Sequence, residues 1–115
     1  MKATIYHNPR CSKSRNSLNL LKEKSLDFEI VEYLKTPLNA AEIQTLLTQL
    51  GIKAEQLIRK SEAIYKEHYK GKELNENEWI EAMVKHPKLI ERPIVVYKNK
   101  AVIGRPLEKV EELLA

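Results

Sequence analysis

The chain has 115 residues, room for one domain. Hydrophobic residues at 43% and charged residues at 31% make a globular composition, and three Gly and five Pro exclude collagen-like and low-complexity arrays. Twenty Lys plus Arg against 16 Asp plus Glu give a net charge of +4, spread without any basic block, so small anions fit the excess as readily as nucleic acid.

The first run, Ala3–His7, is β-branched and aromatic and predicts a short strand that Asn8-Pro9-Arg10 breaks. A helix follows from Ser12 to about Lys24, with Leu18 and Leu21 one turn apart. Phe28–Tyr33 alternates as a second strand, and Thr36-Pro37 stops it. Strand, helix and strand over so short a length form a βαβ unit with parallel strands. Asn39, with Glu42 three residues on, predicts a capped helix carrying Ile43, Leu46, Leu47 and Leu50, and Gly51 ends it. Helical pieces through Leu57-Ile58 and Ala63–Tyr69 come next. Asn75 then caps a helix bearing Trp79, Ile80, Met83 and Val84 as far as Pro87. No strand pattern occurs in this block. Strands return at Ile94–Tyr97 and Ala101–Ile103, joined by a connection short enough for an antiparallel hairpin. Pro106 opens a last helix through Val110, Leu113 and Leu114. The expected fold class is α/β: a mixed four-stranded sheet with an all-helical insert, about residues 39–90, between strands 2 and 3. The whole of 1–115 reads as a single domain.

The longest stretch free of charged and amide residues is Pro93–Tyr97, far short of the ~20 residues of a membrane span. The N-terminus lacks a secretory apolar region, so a cytoplasmic location is expected, and no feature demands more than a monomer. A lone cysteine, Cys11, excludes an internal disulfide and a Cys-rich zinc site. His7, His68 and His86 are scattered, Asp27 is the only aspartate, and no metal-ligand spacing is present. No glycine-rich phosphate loop points to a nucleotide, so neither a metal nor a bound cofactor is expected.

Cys11 stands where the first strand gives way to the first helix, and there the helix N–H groups favour a thiolate. Arg10, Lys13 and Arg15 add positive charge, while His7 and Ser14 are placed to hydrogen-bond to an ionised sulfur. A cationic, polar flank suits an inert buried cysteine poorly, which makes Cys11 a reactive residue. Only five residues are Arg, and of these Arg92 and Arg105 each stand directly before a proline while Arg59 follows Leu57-Ile58. Arg offers a planar fork that grips oxyanions bidentately, as Lys does not. Taken one at a time these arginines fit surface charges equally well; beside a low-pKa cysteine the set suggests an oxyanion site. Cys-x-x-Ser, Cys11 to Ser14, lacks the second thiol of a dithiol redox motif.

The run Tyr6-His7-Asn8-Pro9-Arg10-Cys11-Ser12-Lys13-Ser14-Arg15-Asn16 resembles the active-site signature of the glutaredoxin-linked arsenate reductase (ArsC-like) family. The resemblance continues through Val31–Pro37, Leu57–Lys60, His86–Val96 and Ile103–Pro106, in order along essentially the whole chain. It implies a thioredoxin-like fold, Cys11 as nucleophile, and Arg59, Arg92 and Arg105 as oxyanion-binding residues. It places His7 and Ser14 among groups that keep the cysteine ionised, and Pro93 on the family's cis-proline; the residues alone are equally compatible with a trans proline that opens the strand. The implied reaction reduces arsenate to arsenite, with glutathione as co-substrate and glutaredoxin as partner. Two alternatives stay open: a thiol oxidoreductase acting on glutathionylated proteins, and a non-catalytic Spx-like regulator that binds RNA polymerase. Against the regulator, Ser14 stands where a Cys-x-x-Cys switch would carry its second thiol.

Overall fold

A computed structural model describes residues 2–115. Two compact units are distinguished among the described residues: residues 2–36 with 92–115, and residues 37–91. The first unit holds the whole sheet. Its strands are β1 (Ala3–Tyr6), β2 (Phe28–Val31), β3 (Ile94–Tyr97) and β4 (Lys100–Ile103), in the order β2-β1-β3-β4. β1 runs parallel to β2 and antiparallel to β3, and β3 pairs antiparallel with β4. This is the thioredoxin-like mixed sheet that the sequence implied.

β1 alternates as a half-buried strand should, with Ala3 and Ile5 fully buried. They pack with Leu20 and Leu21 of helix α1 (Ser12–Glu23), with Val95 of β3, and with Val110 of helix α6 (Glu108–Leu114). The β3–β4 turn is made by Lys98 (φ 52°) and Asn99 (φ 63°), two successive left-handed residues whose twist matches that of a two-residue hairpin. β2 is shorter than its alternation suggested: the chain leaves the strand after Val31, and Tyr33 is buried in the turn that follows. The last helix starts later than expected. Pro106 does not sit in its first turn; it lies in the bend after β4, following a cis Arg105–Pro106 bond, and the helix begins at Glu108.

The second unit contains helices α2 (Ala40–Leu50), α3 (Ala54–Leu57), α4 (Ala63–His68) and α5 (Glu76–Lys85), then a single 3₁₀ turn at Pro87–Leu89. α2 and α5 each open with a capping box, Asn39 with Glu42 and Asn75 with Glu78. Gly51 closes α2 in the left-handed conformation (φ 69°) that a side chain would strain. Ile43, Leu46, Leu57, Ile80 and Met83 are buried where α2 and α3 pack on α5. One feature here escapes helical periodicity. Ile58 and Ile90 form an antiparallel bridge, flanked by Arg59 N–H to the Leu89 carbonyl (2.6 Å) and Glu91 N–H to the Leu57 carbonyl (2.9 Å). A single extended pair is too short to leave a pattern of alternation.

Candidate active site

Cys11 is the N-cap residue of α1, with the extended backbone (φ −97°, ψ 122°) that N-caps adopt. The loop before it is tied down by its own polar groups. Asn8, buried, accepts the Cys11 N–H on its carbonyl (3.0 Å) and the Arg10 N–H on Oδ1 (3.0 Å). Arg15 Nη1 reaches back to the Pro9 carbonyl (2.9 Å), so one of the flanking cations secures the loop. Beneath it, the fully buried Ser14 accepts the Asn8 N–H at 3.0 Å and shares a 2.7 Å hydrogen bond with His7 Nδ1. Burial holds the His7 pKa below its ordinary 6.5; Glu32 works the other way, and Arg15 and Lys22 add to the lowering. His7 is therefore a neutral imidazole that supports Ser14.

The sulfur is half-buried. Partial burial pushes the thiol pKa up, but four groups together outweigh it: the Ser14 N–H, the Arg92 guanidinium, the Lys13 N–H and the charge of Arg105. The result lies below the ordinary thiol value, so a thiolate is favoured. The Cys11 side chain makes no formed cap hydrogen bond, yet the Lys13 and Ser14 N–H groups at the second and third helical positions favour its ionised form. Ser14 thus faces the sulfur through its backbone, while its hydroxyl serves His7 and Asn8.

Both arginines beside Cys11 come from the hairpin. Ile94 pairs with Ile103, and the Gly104 N–H donates to the Pro93 carbonyl at 2.9 Å. Continuing this register by one more place sets Arg92 opposite Arg105. Arg105 Nε donates to the Arg92 carbonyl (2.7 Å) while its Nη2 stands 3.3 Å from Cys11 Sγ. The pairing of Tyr6 with Ile94 brings the start of β3 next to the end of β1, from which the Cys11 loop leaves. The Arg92–Pro93 bond is cis, as is Arg105–Pro106, which sequence reasoning did not single out. Gly104 is required by space: a Cβ there would fall 2.6 Å from Ser17 Oγ and 2.9 Å from Pro93 Cγ.

Arg59 is described within the other unit. Its Nη1 lies 3.3 Å from Glu91 Oε1 and its Nε 3.7 Å from Glu62 Oε1, so two carboxylates hold the guanidinium. Neither glutamate was singled out from sequence. Among the described residues no helix is long and apolar enough to cross a membrane.

Residues 6–113 match the model of the ArsC family. This chain belongs to the ArsC family. It is 54% identical over 112 residues to the uncharacterized protein YfgD of Escherichia coli K12, covering 96% of this chain and 94% of that one. It is 42% identical over 112 residues to the arsenate reductase of Neisseria meningitidis serogroup A, covering 96% of each. The solved structure of the arsenate reductase from Vibrio cholerae superposes with a TM-score of 0.94 at 43% identity, covering 98% of both chains. The mixed sheet together with these relatives gives the chain the thioredoxin-like fold.

Proposed function

We propose that this ArsC-family chain is an oxidoreductase that reduces arsenate to arsenite, with Cys11 as nucleophile and glutathione and glutaredoxin supplying the electrons. The Cys11 thiolate attacks arsenic and displaces one oxygen ligand as water, forming a sulfur–arsenic bond. Arsenate is mostly dianionic near neutral pH and repels a thiolate, so cations must offset both charges before attack. Arg92 and Arg105 supply that charge with the planar donor geometry a tetrahedral oxyanion accepts, and Arg59 is the third oxyanion ligand in this reading. Glutathione then attacks the adduct at the Cys11 sulfur: a Cys11–glutathione disulfide forms as the sulfur–arsenic bond breaks with its electron pair left on arsenic, and arsenite departs. Glutaredoxin's thiolate takes the glutathione as a mixed disulfide and frees the Cys11 thiolate. The two thiols lose the two electrons that arsenic gains in passing from arsenic(V) to arsenic(III). No metal, flavin or nucleotide enters these steps.

What carries the reading is the Arg105 guanidinium, anchored at Nε by the Arg92 carbonyl and set at 3.3 Å from the Cys11 sulfur by Nη2. An anchored fork beside a sole thiol serves oxyanion chemistry better than a protein-docking surface. The test is arsenate-dependent NADPH oxidation in a mixture of glutathione, glutaredoxin and glutathione reductase. Turnover that requires arsenate, glutathione and Cys11 supports the reading; a rate equal to that of the Cys11→Ser variant overturns it.

A further inference from the structure

Apart from the Cys11 site, the segment 37–91 carries a cluster of cations that the proposed reaction does not use. A cavity of about 320 Å³ is lined by His68, Tyr69, Lys72, Lys85 and His86. Four of these five side chains carry or can carry positive charge, and no carboxylate lines the cavity. Among the described residues, neither Lys72 nor Lys85 has a carboxylate within ion-pairing distance. His68 approaches only the exposed Glu67, at 3.9 Å. One wall of the cavity is aromatic: Tyr69 packs against Trp79 (centroids 6.1 Å apart), meets the His86 ring edge to face (6.1 Å), and has Lys72 Nζ over its own ring at 5.9 Å.

The ends of two helices explain why cations collect there. His68 is the last residue of α4, Lys85 the last of α5, and His86 caps α5. Helix C-termini carry partial negative charge and offset part of the mutual repulsion. They do not remove it. His86 is held below its ordinary pKa, first by burial and then by the charges of Lys85 and His68. Like charges gathered around an open, carboxylate-free cavity become favourable when an anion occupies it.

We infer that the cavity between His68, Tyr69, Lys72, Lys85 and His86 is an anion site that takes a phosphate group, free or carried by a small molecule. Lys72 and Lys85 supply point charges, as lysines at phosphate sites do. The two imidazoles supply N–H donors, and the contact of the His86 ring with Tyr69 keeps that donor in place. The volume admits a phosphate with room for a substituent, and the flanking tyrosine gives that substituent a surface to lie on.

The three histidines make the test internal to the full-length protein. Their side-chain resonances are followed by NMR while inorganic phosphate is added at fixed pH, with ionic strength held constant by sodium chloride. His68 and His86 should shift together and saturate. His7, beside the Cys11 loop, reports separately on anion binding there. Lys72→Gln and Lys85→Gln should each weaken the His68 and His86 response about fivefold. Arg105→Gln should leave it unchanged. Tighter saturation by ATP than by inorganic phosphate assigns the site to a phosphate-bearing molecule; equal affinity assigns it to the free ion. Shifts that do not saturate, or that are identical with chloride and in both lysine variants, overturn the inference, whatever becomes of arsenate turnover.

Discussion

Removing the Arg105 guanidinium, 3.3 Å from the sulfur, should cost Cys11 part of its thiolate, and the size of the loss follows from that distance. Unit charges 3.3 Å apart interact by about 1.3 kcal/mol with water-like screening and by about 5 kcal/mol at an effective dielectric of 20. Cys11 is half-exposed, so the lower figure applies. At a pH below the wild-type midpoint, Arg105→Gln should therefore leave about eightfold less thiolate. Because the thiolate is the reacting species and Cys11 is the sole cysteine, the rate of iodoacetamide uptake by intact protein, read by mass spectrometry, measures this directly.

Arg105→Lys separates charge from geometry. A lysine restores the positive charge, but its ammonium reaches either the Arg92 carbonyl or the sulfur, whereas the guanidinium reaches both at once. Alkylation should recover most of the way to wild type in Arg105→Lys, while arsenate turnover should stay low. If Arg105→Gln is alkylated as fast as wild type, the guanidinium has no hold on the sulfur and the electrostatic argument fails.

Ser14→Ala leaves the Asn8 N–H without its acceptor and the buried His7 Nδ1 without its hydrogen-bond partner, and should cost about 1–3 kcal/mol in urea unfolding. It keeps the backbone N–H that faces the sulfur, so iodoacetamide uptake should slow less than in Arg105→Gln; the reverse ranking would mean that the hydroxyl itself stabilises the thiolate. Gly104→Ala forces a methyl against Ser17 Oγ, Pro93 Cγ and Val110 Cγ2 and should destabilise by about 1–3 kcal/mol, with arsenate turnover falling as Arg105 shifts. An unchanged melting temperature would show that β4 yields there freely. His7 has a folded pKa below 6.5, so the unfolded chain binds more protons as pH falls: stability is full above 6.5, declines as pH drops below it, and stops declining beneath the folded value. Urea midpoints that do not fall between pH 7.5 and pH 5 would contradict the neutral, buried imidazole.

The sheet was legible because its signals are local. Ala3, Ile5, Val95 and Val110 announce buried faces by alternation or periodicity, and the capping boxes at Asn39 and Asn75 mark two helix starts in plain residues. The Ile58–Ile90 bridge was not legible, since one extended pair 32 positions apart leaves no periodic trace. The late start of α6 was misread because Pro106 suits a helix's first turn as well as the bend it occupies. A signal for the Arg92–Arg105 pairing was present all the same. A two-residue hairpin at Lys98-Asn99 fixes the register, and counting outward from it sets the two Arg-Pro steps face to face. What Arg59 touches was beyond sequence, because Glu62 is a near neighbour but Glu91 arrives only through the fold.

The position of Cys11 sets the last prediction. An N-cap is normally Ser, Thr, Asn or Asp, whose oxygen accepts the second or third N–H of the helix. A neutral thiol accepts poorly, and the Cys11 side chain makes no cap hydrogen bond. A thiolate accepts well, so helix α1 is fully capped only when Cys11 is ionised. Capping and reactivity are then one interaction seen from two sides: whatever lowers the thiol pKa also steadies the helix. Cys11→Ser breaks that link. Serine caps at every pH without ionising, so the variant should lose all arsenate reduction yet be more stable than wild type at low pH, by up to about 1 kcal/mol. The sign of the pH dependence follows from the depressed folded pKa. Wild type gains stability as pH rises from the folded value toward 9.0, where the unfolded thiol also ionises, and the advantage of Cys11→Ser should shrink across that window. Thermal unfolding of both proteins at several pH values measures it. A serine variant less stable than wild type at every pH would show that the sulfur supports the fold by packing, and that its ionisation is a separate matter from the helix it begins.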